Sequence, residues 1–292
     1  MESYLIRAIA SEVRVRAVVC VTTKLVREGV RRHGTKRVST LALGQALTGV
    51  ALMGALLKVR QRMAIKLQGD GLLQKLLVES DANGNVRGYV SEPDVDVMGQ
   101  LNKLDLSLGL GEGVVIVVKD LLLKELYEGV VPLVPGDVSD NLTSYLNLSE
   151  QIASFVKVDV KLDDTGNVAA AGGILIQALP TYEGDTIAQL QEKAAAMPPI
   201  ATLIADGQTP ETILANLFGE IEHKVLIAKP LTFQCSCSAE RSEQALITLG
   251  QAEIQSIMET EGEAIIDCPF CHERYIFSYE ALETVLDKME EE

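Results

Sequence analysis

Residues Val38–Leu57 read VSTLALGQALTGVALMGALL, a run without a single charged side chain. A run of this length is long enough to cross a bilayer as a helix. Its reading therefore decides between a membrane protein and one built around a buried helix. Burial is the better account. Ser39, Thr40, Gln45 and Thr48 interrupt the apolar surface, and the remaining bulk is mostly Ala and Leu. No second span follows, and basic residues flank both ends, so the charges favour no orientation. Gly44, Gly49 and Gly54 would let other backbone approach closely. A central buried helix is expected, and no membrane contact.

Outward from this helix the sequence reads as mixed α and β. Residues 4–9 and 13–21 alternate like a hairpin around "SE", and "KLVREGVRRHG" is a short helix ending at Gly34. "RMAIKLQG" is strand-like, and "LLVESDANGNVRGYV" carries an Asn-Gly turn between extended runs. "GEGVVIVVKDL" suits a strand buried on both faces. Ser139 or Asp140 is placed to cap a helix through "NLTSYLNLSEQI". "FVKVDVKLDDTGNVAAAGGILIQAL" repeats the hairpin design, so two similar hairpins are expected to serve one curved sheet. The glycine clusters "GLGEG" and "AGGI" lack the lysine of a phosphate loop and the Rossmann spacing. They read as turns and strands.

The texture changes near Pro180. Residues 180–230 look like several short helices, with Asp185 and Thr209 as caps and Pro210 at a first helical position. Residues 231–292 read as a strand carrying "CSC", a helix capped by Ser238, a helix near 251–260, a "CPFC" turn between extended runs, and a last helix from about Tyr279. The acidic end "MEEE" reads as solvated. The fold class is α+β. The expected organisation is an N-terminal mixed domain with a curved sheet and a central buried helix (1–179), a helical linker (180–230), and a small C-terminal metal-binding module (231–292).

Charge weighs against one broad class. The 292 residues carry a net charge of −15, which argues against a general nucleic-acid binder, whose affinity comes from basic contacts to phosphate. The distribution is uneven: residues 1–60 hold 11 Lys/Arg against 3 Asp/Glu, and the remainder 15 against 38. Opposite-sign surfaces facing each other, within the fold or across a dimer, account for this better than a basic docking patch. No basic, apolar leader of the secretory kind is evident at the N-terminus. A cytoplasmic, reducing setting is expected, where paired cysteines point to metal or redox chemistry.

Four of the five cysteines fall in two tight pairs, Cys235/Cys237 and Cys268/Cys271, with thirty residues between Cys237 and Cys268. The C-x-x-C pair has zinc-knuckle spacing, and C-x-C reaches the same ion from extended backbone. Together they predict a Cys₄ site for one Zn²⁺ per chain. His272 is left outside it, because four thiolates already complete a tetrahedron. Cys20 reads as a small buried hydrophobe. Zinc keeps its sulfurs as thiolates, the form that oxidants attack. Either pair can also close on itself, and a C-x-C disulfide is geometrically demanding and therefore labile.

"LTFQCSCSAERSEQALITLG" followed by "CPFCHERYIF" resembles the C-terminal module of the bacterial redox-regulated heat-shock protein 33 family. The resemblance continues through "YLIRAIA", "ANGNVRGYV", "VVIVVKDLLLKELYEGVVPLV" and "LSEQI", nearly the whole chain. It implies a zinc-bound, inactive, reduced state in the cytoplasm, with Cys235, Cys237, Cys268 and Cys271 as ligands. It also implies that oxidation forms the disulfides Cys235–Cys237 and Cys268–Cys271 and releases zinc. A homodimer would then hold unfolding client proteins without ATP during oxidative stress. Such a chaperone is not an enzyme, and no triad or carboxylate pair in the sequence argues otherwise. Two other classes remain open on the residues alone. One is a zinc-ribbon nucleic-acid binder, which a gel shift with a steep salt slope would reveal. The other is a C-x-x-C thiol oxidoreductase, which would turn over in an insulin-reduction assay.

Overall fold

The protein is described by a computed structural model covering residues 2–96, 109–180 and 184–291. The expected start of the linker at 181–183 lies outside the described residues, as do the side chains of the acidic end at 290–292. The chain divides into two compact units, Met1–Gln234 and Cys235–Glu292. The class is α+β.

Unit one holds two sheets, not one. β1 (Tyr4–Ala10), β2 (Val15–Val21), β8 (Ser154–Leu162), β9 (Val168–Ala178) and β10 (Lys224–Pro230) form a five-stranded sheet in the order β10-β1-β2-β9-β8. β3 (Arg62–Gly69), β4 (Lys75–Asp81), β5 (Asn85–Val90), β6 (Gly113–Asp120), β7 (Tyr127–Pro132) and β11 (Thr232–Phe233) form a six-stranded sheet in the order β11-β5-β4-β3-β6-β7. The two look-alike turns thus belong to different sheets. In each an Asp braces the turn: Asp81 accepts from the Asn83 and Asn85 N–H groups, and Asp163 from those of Thr165 and Asn167. Gly84 and Gly166 supply the left-handed position in each, at φ 89° and 87°. The turn fixes its own hairpin and nothing about which sheet receives it.

Two helices follow β2: α1 (Thr23–His33), closed by left-handed Gly34, and α2 (Arg37–Gly54). α2 packs against strands of both sheets, and all its residues except Arg37 and Leu41 are buried. Its polar side chains are satisfied internally. Thr48 Oγ1 donates to Gly44 O at 2.8 Å and shares a 2.7 Å hydrogen bond with Thr22, while Ser39 donates to Glu92 O. That pairing makes a polar-seasoned helix tolerable in a core. Among the described residues no helix is long and apolar enough to cross a membrane. The glycines of α2 admit side chains rather than backbone: a Cβ at Gly44 would stand 2.8 Å from Val26 Cγ1 and 2.9 Å from Val160 Cγ2.

α3 (Val138–Leu148) begins two or three positions earlier than the sequence suggests. Asp137 is the cap, accepting from Ser139 N and Asp140 N, and Asp140 closes the capping box. β6 is half-buried: only Val115 and Val117 along it are buried, because its outer face lacks a covering layer among the described residues. Much of the basic N-terminal charge is spent inside this unit. Arg7 donates to Ala55 O, Arg27 to Val168 O and Ala169 O, and Glu28 pairs with Arg31 and Arg32.

After β9 come α4 (Thr186–Ala196), α5 (Ile200–Ala205) and α6 (Pro210–Phe218). Their apolar faces share a core with Ile6, Val19, Ile174 and Ile176 of the five-stranded sheet. Ile187, Leu190, Ile200, Leu203, Ile213, Leu214, Leu217 and Phe218 are all buried there. Thr209 caps α6 through Thr212 N, whereas Asp185 occupies the cap position of α4 without a side-chain bond. Two groups on β8 stitch the break at Pro198-Pro199. Lys157 Nζ donates to Ala194 O and Met197 O, both at 2.9 Å, and Asp159 accepts from Ile200 N at 2.6 Å. They satisfy the open end of one helix and the open start of the next. Residues 224–230 are not helical: β10 pairs antiparallel with β1, with Pro230 at its end, as suits an edge strand.

Unit two holds α7 (Ala239–Ile247), α8 (Gln251–Thr260), the antiparallel pair β12 (Glu263–Asp267) and β13 (Arg274–Ser278), and α9 (Tyr279–Glu291). Its core is small. Leu246, Ile254, Met258, Ala264, Phe277, Leu282 and Val285 are its buried apolar side chains.

Candidate metal centre

All four paired cysteines lie in unit two, and no disulfide joins any of the five cysteines. Cys268 and Cys271 occupy the turn between β12 and β13. The turn is closed by two backbone hydrogen bonds, Cys268 N to Glu273 O and His272 N to Cys268 O, each 2.9 Å. His272 adopts the left-handed conformation, φ 59°, which histidine tolerates better than most residues. Its part is to turn the chain. Cys235 and Cys237 come from a segment of no regular structure, not from a strand: β11 ends at Phe233, before them. Ser238 ends this segment by capping α7 through Arg241 N at 3.3 Å. The Arg241 guanidinium reaches back to Ser236 O (2.6 Å) and Ser236 Oγ (2.7 Å), bracing the residue between the two sulfurs.

The four Sγ atoms lie within 4.8 Å of one another. Cys235 Sγ is 3.7 Å from Cys268 Sγ, and Cys237 Sγ is 3.3 Å from Cys271 Sγ. Four sulfurs at Zn–S of about 2.3 Å define a tetrahedron with edges of about 3.8 Å. The thiols therefore fit a tetrahedral soft-metal site with little adjustment. Burial pushes the Cys268 and Cys271 thiols up, against the pull of backbone N–H groups of Phe270 and Cys271 on the first and of Glu273 on the second. Thiols so placed stay protonated near neutrality unless a cation compensates them. Tyr275, on β13, donates its hydroxyl to Cys237 Sγ at 3.1 Å. Nothing in the sequence singled out Tyr275 or Arg241: neither belongs to the cysteine spacing, and only the fold brings them to it. Cys20 is fully buried on β2 within unit one, where burial raises its thiol to about 12.

Fold and thiol cluster together define a two-unit α+β protein with a four-cysteine centre able to hold a metal ion. The model of the Hsp33 protein family matches residues 3–278, and the chain belongs to that family. A 33 kDa chaperonin of Geobacter sulfurreducens is 45% identical over 287 residues, covering 98% of this chain and 95% of the relative. One of Bacillus cereus is 40% identical over 291 residues, covering 99% and 100%. The crystal structure of a 33 kDa chaperonin, a heat shock protein 33 homolog, from Thermotoga maritima superimposes with a TM-score of 0.91 at 29% identity, over 100% of both chains.

Proposed function

We propose that this chain is a redox-regulated, ATP-independent holdase chaperone, not an enzyme, acting in a reducing compartment. The observation that carries the reading is the gathering of four thiols within 4.8 Å in a unit with a small core of its own. Names of relatives as chaperonins support the chaperone part. In the reduced state Cys235, Cys237, Cys268 and Cys271 would hold one Zn²⁺, which supplies the charge that keeps the sulfurs deprotonated. A peroxide oxidises each pair with two electrons. One thiolate attacks the peroxide, the O–O bond breaks, and a sulfenic acid forms. The neighbouring thiolate displaces its oxygen as water, leaving an S–S bond. Per pair, two thiolates, one hydrogen peroxide and two protons give one disulfide and two waters. The disulfides assigned are Cys235–Cys237 and Cys268–Cys271, and zinc departs for want of thiolates.

The energetic consequence follows from magnitudes. A structural zinc contributes roughly 10–16 kcal/mol of apparent binding free energy, whereas a whole domain's net stability is only about 5–15 kcal/mol. A small module cannot lose the metal and stay folded, and two short-loop disulfides return little chain entropy. We place the functional divisions at 1–179, 180–230 and 231–292. The middle segment is the metastable one, since helices as short as α4–α6 are marginal without packing. Its release would bare an apolar surface for unfolded clients, with the oxidised chain active as a homodimer and neither nucleic acid nor membrane required. The C-x-x-C sits in a hairpin turn with no surrounding βαβ unit, which disfavours a thioredoxin-like oxidoreductase. Size-exclusion chromatography with a chemically unfolded client and no nucleotide tests the reading. Co-elution is expected after peroxide treatment with mild heat and not with the reduced, zinc-loaded chain. Co-elution with neither form rejects a holdase.

A further inference from the structure

Cys237 is held differently from Cys268 and Cys271. Cys268 and Cys271 sit in a hydrogen-bonded turn whose own N–H groups point at their sulfurs. Cys237 lies in a segment without helix or strand, and its sulfur receives a hydrogen bond from a side chain on another element, the hydroxyl of Tyr275 at 3.1 Å. Tyr275 is well placed to hold a position. Its backbone pairs with Ile266 across the β12–β13 ladder, and its ring packs against the small apolar core of the unit. We infer that Tyr275 is a positioning residue for the four-thiol centre: its phenol fixes the Cys237 sulfur in its place around the metal and takes up part of its charge. The inference rests on the metal reading above. Four thiolates around a divalent cation carry a net charge of −2, so each donor aimed at a sulfur relieves it. Partners of metal ligands that do this commonly contribute 10–100-fold in metal affinity. A hydrogen bond to a charged acceptor is also among the stronger kinds.

Tyr275→Phe removes the hydroxyl and keeps the ring, so the packing of the unit is retained. The full-length reduced protein is loaded with cobalt(II), whose sulfur-to-metal charge-transfer absorption reports directly on hydrogen bonds to the ligand sulfurs. Zinc affinity is measured in parallel by competition with a chromophoric chelator. The expected results are a shift of the charge-transfer band to longer wavelength and a fall of about tenfold in zinc affinity, with far-UV circular dichroism unchanged. An unshifted band overturns the inference whatever the affinity does, because a purely structural tyrosine leaves the sulfur's electrons alone. A shifted band with wild-type affinity also overturns it, since the bond then positions nothing. Failure of the wild-type chain to bind cobalt or zinc is a different result, and it removes the four-thiol metal reading itself.

Discussion

A single serine separates Cys235 from Cys237, yet in the folded unit each of these sulfurs has a close neighbour from the other pair, Cys268 for one and Cys271 for the other. That crossing is what a shared ion requires. Replacing Cys268 by serine, a poor zinc ligand at neutral pH, is expected to drop metal content from one zinc per chain to near none, whereas Cys20→Ala, in the other unit, leaves it at one. Metal analysis of the reduced proteins checks both, and full zinc in Cys268→Ser contradicts the assignment. A second residue pair carries a pH signature. The Tyr4 hydroxyl donates to Glu211 at 2.8 Å, joining β1 to the first turn of α6. Burial, and then the acidic partner, push Tyr4 up to about 12. Burial, the largest single influence, would raise Glu211, but the hydrogen bonds from Tyr4, from its own backbone N–H and from Thr209 together outweigh it, and the carboxyl sits below its ordinary value. A lowered carboxyl contributes stability above its unfolded-state pKa and loses it as pH falls through the folded one. The raised phenol contributes below about 10 and loses its share as pH climbs toward 12. The stability difference between wild type and Tyr4→Phe should therefore hold near 1 kcal/mol from pH 6 to 9 and shrink below about pH 4. A difference that stays constant to pH 3 in denaturant titrations contradicts the pairing. At this scale the four-sulfur cluster was readable because two short-range cysteine pairs mark it locally. Tyr275 and Lys157 were not, because their partners lie 38 and about 40 residues away in sequence and no local rule couples them.

Elements divide in the same way. α2 was legible because a charge-free run with scattered hydroxyls has few other places to go, and its threonines carry their own acceptors. α6 and α7 were legible from Thr209 and Ser238, whose caps act over three residues. β10 was not: its strand character exists only against β1, over two hundred positions earlier, and its exposed residues look like those of a surface helix. The single curved sheet failed for a related reason, since each Asp-braced turn specifies a hairpin and no more. The segment after β9 rests on its apolar face and on the two β8 groups at the Pro198-Pro199 break. Lys157→Met keeps the aliphatic stem and deletes the donor to two helix-end carbonyls, a loss of about 1–2 kcal/mol. Together with Asp159→Ala it should make the reduced protein cleavable between Met197 and Ile200 under limited proteolysis, while the β8–β9 hairpin stays intact. A digestion pattern identical to wild type would show that apolar packing alone secures α4 and α5.

The whole molecule pairs a large unit with an ample core and a small one whose buried apolar side chains are few. Stability is therefore uneven, and the small unit's share is the part a metal would govern. On the function proposed, chemistry at four sulfurs would be read out as folding, and folding as exposed surface. The most direct measurement is light scattering from a thermally unfolding client, followed with one preparation carried through a cycle without nucleotide. The chain is first reduced and zinc-loaded, then oxidised with peroxide at mild heat, then reduced again with zinc restored. The account predicts weak suppression of aggregation, strong suppression, and weak suppression again. Equal suppression at all three stages would contradict it, leaving a binder whose activity owes nothing to the four cysteines.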